Sequence, residues 1–197
     1  MGGTEGGIEQ NGIEQSGPAL ATGSRLVLTA VGPDRPGLVS ALSSWIREAG
    51  ANLEDTRMAQ LGGEFALILL LTGPPEALEQ VEGLAPRIER ELGLTCSGRR
   101  TNPVVPPVGA LAYRLKVSGI DRPGIVQRVS GVLAPRSINV ASLSSRVVNA
   151  PLTGTPMFHL DATLQIPSGV ALSELRAALA TTCDDENLDF FLEAEGR

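Results

Sequence analysis

The sequence predicts an α+β protein made of two copies of one small domain, each with the element order βαββαβ. The first observation is a repeated tetrapeptide: Asp34-Arg35-Pro36-Gly37 recurs 87 residues later as Asp121-Arg122-Pro123-Gly124. The second is that flanking residues recur at the same offset, among them Gly32 with Gly119 and Asn52 with Asn139. A chance tetrapeptide would not carry its flanks in register, so the chain is a duplication of a unit of about ninety residues.

The first half of the first copy predicts a strand followed by a helix. Arg25–Val31 is apolar apart from two residues and predicts a buried strand, which Gly32-Pro33-Asp34 ends. A helix follows with Pro36 in its first turn and Gly50 as its C-terminal stop. Its apolar face consists of Leu38, Leu42, Trp45, Ile46 and Ala49.

The second half of the first copy begins with a hairpin around Gly62-Gly63. Its predicted strands are Asn52–Leu61 and Glu64–Leu71. Pro74-Pro75 starts a second helix, which Pro86 should kink or split because proline interrupts helical hydrogen bonding. Leu94–Arg100 is the last predicted strand of this copy.

The second copy repeats this order. Its predicted elements are a strand at Ala112–Ser118, a helix at Pro123–Leu133, strands at Asn139–Val148 and Met157–Ile166, a helix at Leu172–Cys183 and a strand at Leu188–Ala194. Six extra residues lie in its hairpin, because Phe65 aligns with Phe158 at an offset of 93. Right-handed crossovers place both helices on one face of a four-stranded antiparallel sheet, so each copy predicts a ferredoxin-like fold.

The sheet face away from the helices differs between the copies. In the second copy it is polar, since His159, Asp161 and Thr163 alternate with apolar residues. In the first copy Phe65–Leu71 is apolar on both faces. An antiparallel strand open to water on one side should alternate, so we expect the second domain or another subunit to cover this face. A homodimer is the expected assembly.

The predicted domain bounds are residues 24–100 and 111–197, joined by a proline-rich, extended linker at 101–110. Residues 1–23 are rich in Gly, Glu and Gln and lack the basic start and apolar core of a signal peptide, so we expect a disordered tail. No apolar stretch approaches the ~20 residues of a membrane span. Cys96 and Cys183 do not occupy equivalent positions and fit no metal spacing, which favours reduced thiols in the cytoplasm.

The charge balance excludes direct nucleic-acid recognition as the expected function. The net charge is −6, whereas phosphate contacts require clustered Lys and Arg. The chain contains no Gly-rich phosphate loop, zinc motif or nucleophile elbow, so neither a cofactor nor catalysis is expected. His159, the only histidine, lies on a polar strand face, which favours a solvated sheet residue.

The strand-to-helix turns are the candidate binding sites. A helix N-terminus offers free N–H groups and partial positive charge to a carboxylate, and Gly37 and Gly124 allow close approach of a ligand. Asp34 and Asp121 are suited to an ammonium group, and the amides of Asn52 and Asn139 to either end of an amino acid. We expect the aspartate and asparagine side chains to face the same pocket.

Each of these residues also has a purely structural interpretation. Asp before Pro-Gly at a helix start is a common capping residue. Asn at a strand start tolerates unusual turn conformations. Recurrence of the whole set at one spacing favours binding, although duplication also preserves folding constraints.

At these residues the chain resembles the ACT domain family, whose βαββαβ regulatory modules bind amino acids between paired copies. The segment Gly50–Phe65, the Arg99-Arg100-Thr101 sequence and the proline-rich linker are similar to those of tandem ACT domain regulators of glycine cleavage. The resemblance implies ligand contacts from both motif copies: Asp34, Pro36, Gly37, Leu38 and Asn52, with Asp121, Pro123, Gly124, Ile125 and Asn139. Some amino-acid-binding members have a polar side chain where this sequence has Gly32 and Gly119.

The resemblance implies a non-enzymatic amino-acid sensor, with glycine or serine as candidate ligands. It further implies transcriptional regulation of glycine cleavage or amino-acid metabolism through a protein partner such as an activator. The alternative is a regulatory subunit of a metabolic enzyme, because ACT modules are often fused to such enzymes.

Overall fold

The computed structural model describes residues 24–102 and 109–195, which form two compact units. The predicted tail, residues 1–23, and the linker prolines Pro103, Pro106 and Pro107 lie outside the described residues. Each unit contains a four-stranded, fully antiparallel sheet with helices packed on it, which confirms the predicted fold class.

The first unit has the strand order β2-β3-β1-β4. Its elements are β1 (Arg25–Pro33), α1 (Leu38–Glu48), β2 (Asn52–Leu61), β3 (Glu64–Thr72), α2 (Pro75–Glu82), α3 (Ala85–Leu92) and β4 (Thr95–Thr101). The predicted second helix is split into α2 and α3, with Pro86 in the first turn of α3. Proline is tolerated there because the first-turn N–H groups have no helical partner.

The second unit has the equivalent order β6-β7-β5-β8. Its elements are β5 (Leu111–Ile120), α4 (Ile125–Leu133), a 3-10 turn (Ala134–Arg136), β6 (Asn139–Asn149), β7 (Pro156–Ile166), α5 (Leu172–Glu186) and β8 (Leu188–Ala194). Helix α5 continues three residues beyond the predicted end at Cys183, until Asn187 adopts a left-handed conformation with φ 53°. Helices often end at such a residue.

Each unit has its own apolar core between the sheet and its helices. In the first unit, alternate residues of β1 and β3 point toward the helices, and Leu28, Phe65 and Leu69 are almost fully buried. Leu42 of α1 and Leu78 of α2 cover them. Burial of one such side chain contributes about 1.5–3 kcal/mol, so this face of the sheet stabilises the unit.

Helix α1 begins later than predicted. Gly37 has φ 95° and is the residue that precedes the first helical turn, and Gly124 has φ 94° before α4. This left-handed backbone is incompatible with the helix, so Pro36 and Pro123 lie in the preceding turn. The prediction that each proline lies in the first helical turn was therefore wrong.

The sheet faces away from the helices differ as the sequence predicts. In the first unit, the outward residues of β3 are Ala66, Ile68 and Leu70, and 51% of Ile68 is exposed. Arg57 of β2 and Thr29 of β1 flank Ile68 in register. That another protein surface covers this face stays a prediction.

We predict that Ile68→Lys reduces self-association, because a charge would enter an apolar contact. Sedimentation velocity should show a dimer for the wild type and a folded monomer, or a much weaker dimer, for the variant. The matched control is Thr163→Lys, which changes an outward residue of the polar sheet and should leave the dimer intact. The expectation would be contradicted if the wild-type protein is a monomer and is no more stable than the Ile68→Lys variant.

Candidate functional site

The β1–α1 turn is held in place from two sides. The N–H of Asp34 donates to the carbonyl of Gly63 in the β2–β3 hairpin, with a donor–acceptor distance of 3.1 Å. The guanidinium of Arg35 donates to the carbonyl of Glu91 at the end of α3 over 2.7 Å. In the second unit the N–H of Asp121 donates to the carbonyl of Pro156 over 2.9 Å. The turn is therefore positioned by the hairpin in both units.

The helices that follow these turns start without a side-chain cap. Among residues 24–102 and 109–195, no side chain bonds to the N-terminus of α1 or α4. The first helical backbone bonds run from Ala41 to Gly37 and from Arg128 to Gly124. The N–H groups of the residues in between have no partner within the helix. They carry the partial positive charge of the helix dipole and are suited to bind a carboxylate.

A cavity of about 540 Å³ opens at this turn in the first unit. Its lining combines three of the predicted residues, Asp34, Gly37 and Leu38, with Arg35, Val39, Ser40, Met58 and Phe65. The cavity is thus bounded by the uncapped helix start, one carboxylate and an apolar wall from the sheet. Its volume lies within the range of small-molecule sites.

Gln60 is a residue of this site that the sequence interpretation missed. Its side-chain amide donates to the carboxylate of Asp34 over 2.6 Å. In the second unit the equivalent position, opposite Phe158, is Val147, so Asp121 lacks this donor. The difference between Gln60 and Val147 at an aligned position is the signal that could have identified it.

Asp34 therefore does not act as a helix cap, because its carboxylate accepts from Gln60 and Gly37 occupies the cap position. The other structural interpretation is also wrong: neither Asn52 nor Asn139 has a positive φ. Gly50 and Ser137 adopt the left-handed conformation before those strands, with φ 80° and 54°.

Asn52 and Asn139 are not in the same pocket as the aspartates of their own unit. Asn52 lies opposite Thr72 in the sheet, whereas Pro33, next to Asp34, lies opposite Glu64. Eight strand positions separate these two ends, about 26 Å at 3.3 Å per residue. Asn139 likewise lies opposite Gln165, to which its amide donates over 2.8 Å. The expectation of one shared pocket within a copy was wrong, because antiparallel pairing puts the start of β2 at the far end of the sheet.

Leu38 and Ile125 can contribute only backbone groups to a ligand at the turn. Each residue is 2% exposed, and its side chain packs in the core of its unit. Their N–H groups belong to the uncapped first turn of α1 and α4.

Gly32 and Gly119 are required by packing against the chain where it enters the last strand of each unit. A Cβ atom on Gly32 would lie 2.6 Å from the carbonyl oxygen of Gly93, and one on Gly119 would lie 2.5 Å from a methyl group of Leu188. The polar side chain that some ACT domains carry here has no room in this chain. Any ligand at these turns must therefore bind without it.

The thiols have the environment of packing residues. Cys183 is 1% exposed, and burial, with the nearby charges of Asp184 and Asp189, raises its pKa to about 11. Burial also raises the pKa of Cys96. Neither environment favours the thiolate that a nucleophile requires. Within residues 24–102 and 109–195, no three His, Cys, Asp or Glu side chains are grouped to hold a metal ion. In the same residues no helix has the length and apolar composition needed to cross a membrane.

The model of the ACT domain family matches residues 24–97. The chain is 30% identical over 168 residues to the glycine cleavage system transcriptional repressor of Escherichia coli (strain K12), a match that covers 85% of this chain and 88% of that protein. The match therefore extends over most of both proteins.

Two solved structures are also similar over most of the chain. An unknown protein from Galdieria sulphuraria is 30% identical with a TM-score of 0.74, over 88% of this chain and 99% of that one. A proposed glycine cleavage system transcriptional repressor is 28% identical with a TM-score of 0.67, over 88% and 98% of the respective chains. Each match therefore extends over both units of this chain.

We predict that Gly32→Ala destabilises the first unit by about 1–3 kcal/mol, because the new methyl group would press on the backbone of Gly93. Trp45, the only tryptophan, reports unfolding of this unit in urea. The control is Gly98→Ala, whose new methyl group would meet only side-chain atoms at 3.4 Å or more and should cost less than about 0.5 kcal/mol. Equal effects of the two substitutions would contradict the packing explanation.

Proposed function

We propose that this chain is a regulatory protein that binds an amino acid. It belongs to the family of tandem ACT domain proteins that includes the glycine cleavage system transcriptional repressor. The observation that carries the proposal is the uncapped helix start beside an aspartate, present in both units. The free N–H groups of α1 would bind the ligand carboxylate, and Asp34 its ammonium group. Glycine and serine are the amino acids we propose as ligands.

The site is completed by a second copy of the chain in this proposal. Asp34 and Asn52 lie at opposite ends of one sheet, so one unit cannot supply both to a single small ligand. When two chains pair about a twofold axis, one end of the paired surface in the first chain contacts the opposite end of that surface in the second chain. A homodimer would thus combine the turn of one chain with Asn52 of the partner subunit.

Regulation is proposed to act through a protein partner, such as a transcriptional activator, in the cytoplasm and without catalysis by the chain itself. The net charge of −6 opposes direct binding to DNA. The second candidate function, a regulatory subunit of a metabolic enzyme, uses the same amino-acid site. Co-purification from the native organism distinguishes the two by the partner: a DNA-binding activator or a metabolic enzyme.

We predict that Asp34→Ala weakens binding of glycine or serine by about tenfold or more, because a charge-assisted bond contributes about 1.5–3 kcal/mol. Its bond to Gln60 is exposed, so the loss of folding stability should stay below about 1 kcal/mol. Calorimetry measures the affinity, and Trp45 fluorescence in urea measures the stability. Glu89→Ala removes an exposed carboxylate elsewhere in the same unit and should change neither. A loss of stability with unchanged affinity would show that Asp34 is only structural.

A mixture of two variants tests whether the site is shared between subunits. Asp34→Ala and Asn52→Ala should each weaken binding at the site of the first unit, whereas dimers containing one chain of each retain one intact site of this kind. Equal mixing, with exchange of subunits, should therefore restore about a quarter of the wild-type sites. No restoration, despite confirmed exchange of subunits, would contradict a shared site.

We also predict that the purified protein does not retard a promoter fragment at physiological salt beyond weak non-specific retention. An electrophoretic mobility-shift assay checks this, with a scrambled fragment of equal length as the control. Tight binding that prefers the promoter sequence would contradict action through a partner.

A further inference from the structure

The outer face of the second sheet, away from α4 and α5, has diverged from its counterpart in the first unit. Four aligned positions show the change. The first unit has Val27, Thr29, Ala59 and Ala66, and the second unit has Arg114, Lys116, Arg146 and His159 at the same positions, in that order. Four uncharged side chains thus correspond to three permanent cations and a histidine. Because the fold is the same in both units, folding alone does not require these cations.

These side chains surround a cavity of about 480 Å³ on the outer face. Its lining includes Lys116, Ser118, Ser144, Arg146, His159 and Phe191. The strand register explains the grouping, since His159 lies between Ser118 and Arg146 in one row. Asp161, also in the lining, lies in the next row between Lys116 and Ser144.

The carboxylate in this cavity is already paired. Arg114 donates two hydrogen bonds to Asp161, over 2.8 and 2.6 Å. This bonding, assisted by the charges of Arg114, Lys116 and Arg146, lowers the pKa of Asp161. Within residues 24–102 and 109–195, Lys116 and Arg146 form no ion pair. The cavity therefore presents two cations outside ion pairs, on a chain whose net charge is −6.

An aromatic ring forms the remaining wall. Phe191 of β8 lies opposite Lys116, and 60% of its surface is exposed. The equivalent position in the first unit, opposite Thr29, is Ser97. The exposed ring offers an apolar contact, and the neighbouring cations and hydroxyl groups offer anion binding.

We propose that this cavity is a second ligand site, which binds a small organic anion that carries a planar apolar group. Lys116 and Arg146 bind the anionic group with help from the hydroxyls of Ser118 and Ser144. Phe191 packs against the planar group. The site uses no residue of the strand-to-helix turns, so it is independent of the proposed amino-acid function.

The test follows the imidazole signals of His159 by nuclear magnetic resonance during titration of the full-length protein. Because His159 is the only histidine, its signals report on this cavity alone. The probes are inorganic phosphate, phenyl phosphate and benzoate, at constant pH and ionic strength. Ionic strength is held constant because charged contacts at a surface are screened by salt. Phenyl phosphate and benzoate distinguish a phosphate from a carboxylate as the anionic group.

Saturable shifts with phenyl phosphate or benzoate, and an affinity for phenyl phosphate several-fold above that for phosphate, would support the proposal. Arg146→Gln should weaken binding about tenfold, because a charge-assisted contact is lost. Phe191→Ser, which introduces the first unit's residue, should remove the advantage of the phenyl group. Arg47→Gln, on the exposed side of α1, should change nothing and serves as the charge-matched control.

Three results would overturn the proposal. The first is linear, unsaturated shifts with both aromatic probes, which indicate only general ionic attraction. The second is equal affinity for phosphate and phenyl phosphate, which excludes a role for the ring. The third is unchanged binding in Arg146→Gln, provided that circular dichroism shows the variant to be folded.

Discussion

The left-handed backbone at Gly37 and Gly124 is the constraint on which the candidate amino-acid site depends. A residue with φ near 95° cannot be part of the helix, so the helix begins at the next residue, and its first N–H groups have no partner within the helix. Apart from its chain neighbours, a Cβ on either glycine would meet no atom of the described residues within 4 Å, so the glycine is required by its backbone conformation. The hairpin carbonyls of Gly63 and Pro156 hold each turn in position. One backbone feature thus positions the group that would bind a ligand carboxylate.

Duplication has preserved this turn while the surrounding surfaces changed. The cores remain equivalent, because the inward positions of both sheets carry large apolar residues. The outward positions do not: Ile68 is an exposed apolar residue, whereas the equivalent Asp161 is bonded to Arg114. Near the turn itself, Gln60 bonds to Asp34 and its counterpart is Val147. The shared requirement to fold explains the equivalent cores, and separate functions for the two units would explain the divergent surfaces.

The fold could be predicted closely because it follows from local patterns. The repeat, the Gly62-Gly63 hairpin and the break at Pro86 each specify an element through short-range chemistry. The site could be predicted only in part. Asp34 and Gly37 lie at one cavity, but Asn52 lies at the far end of the sheet. The distance between Asn52 and Asp34 depends on how the strands pair, and the spacing of residues along the sequence does not determine that pairing. The structure also explains Gly32 by packing, because the turn before β4 fills the space where a side chain would lie.

The measurement that tests the central claim most directly is a titration with glycine and serine followed by amide resonances. Amides of Leu38, Val39 and Ser40, or of Ile125, Val126 and Gln127, should shift saturably, because they are the free N–H groups that would receive the carboxylate. Asp34→Ala should weaken the response of the first set. Binding of either amino acid that leaves both sets unchanged, or no binding at millimolar concentrations, would contradict an amino-acid site at these turns.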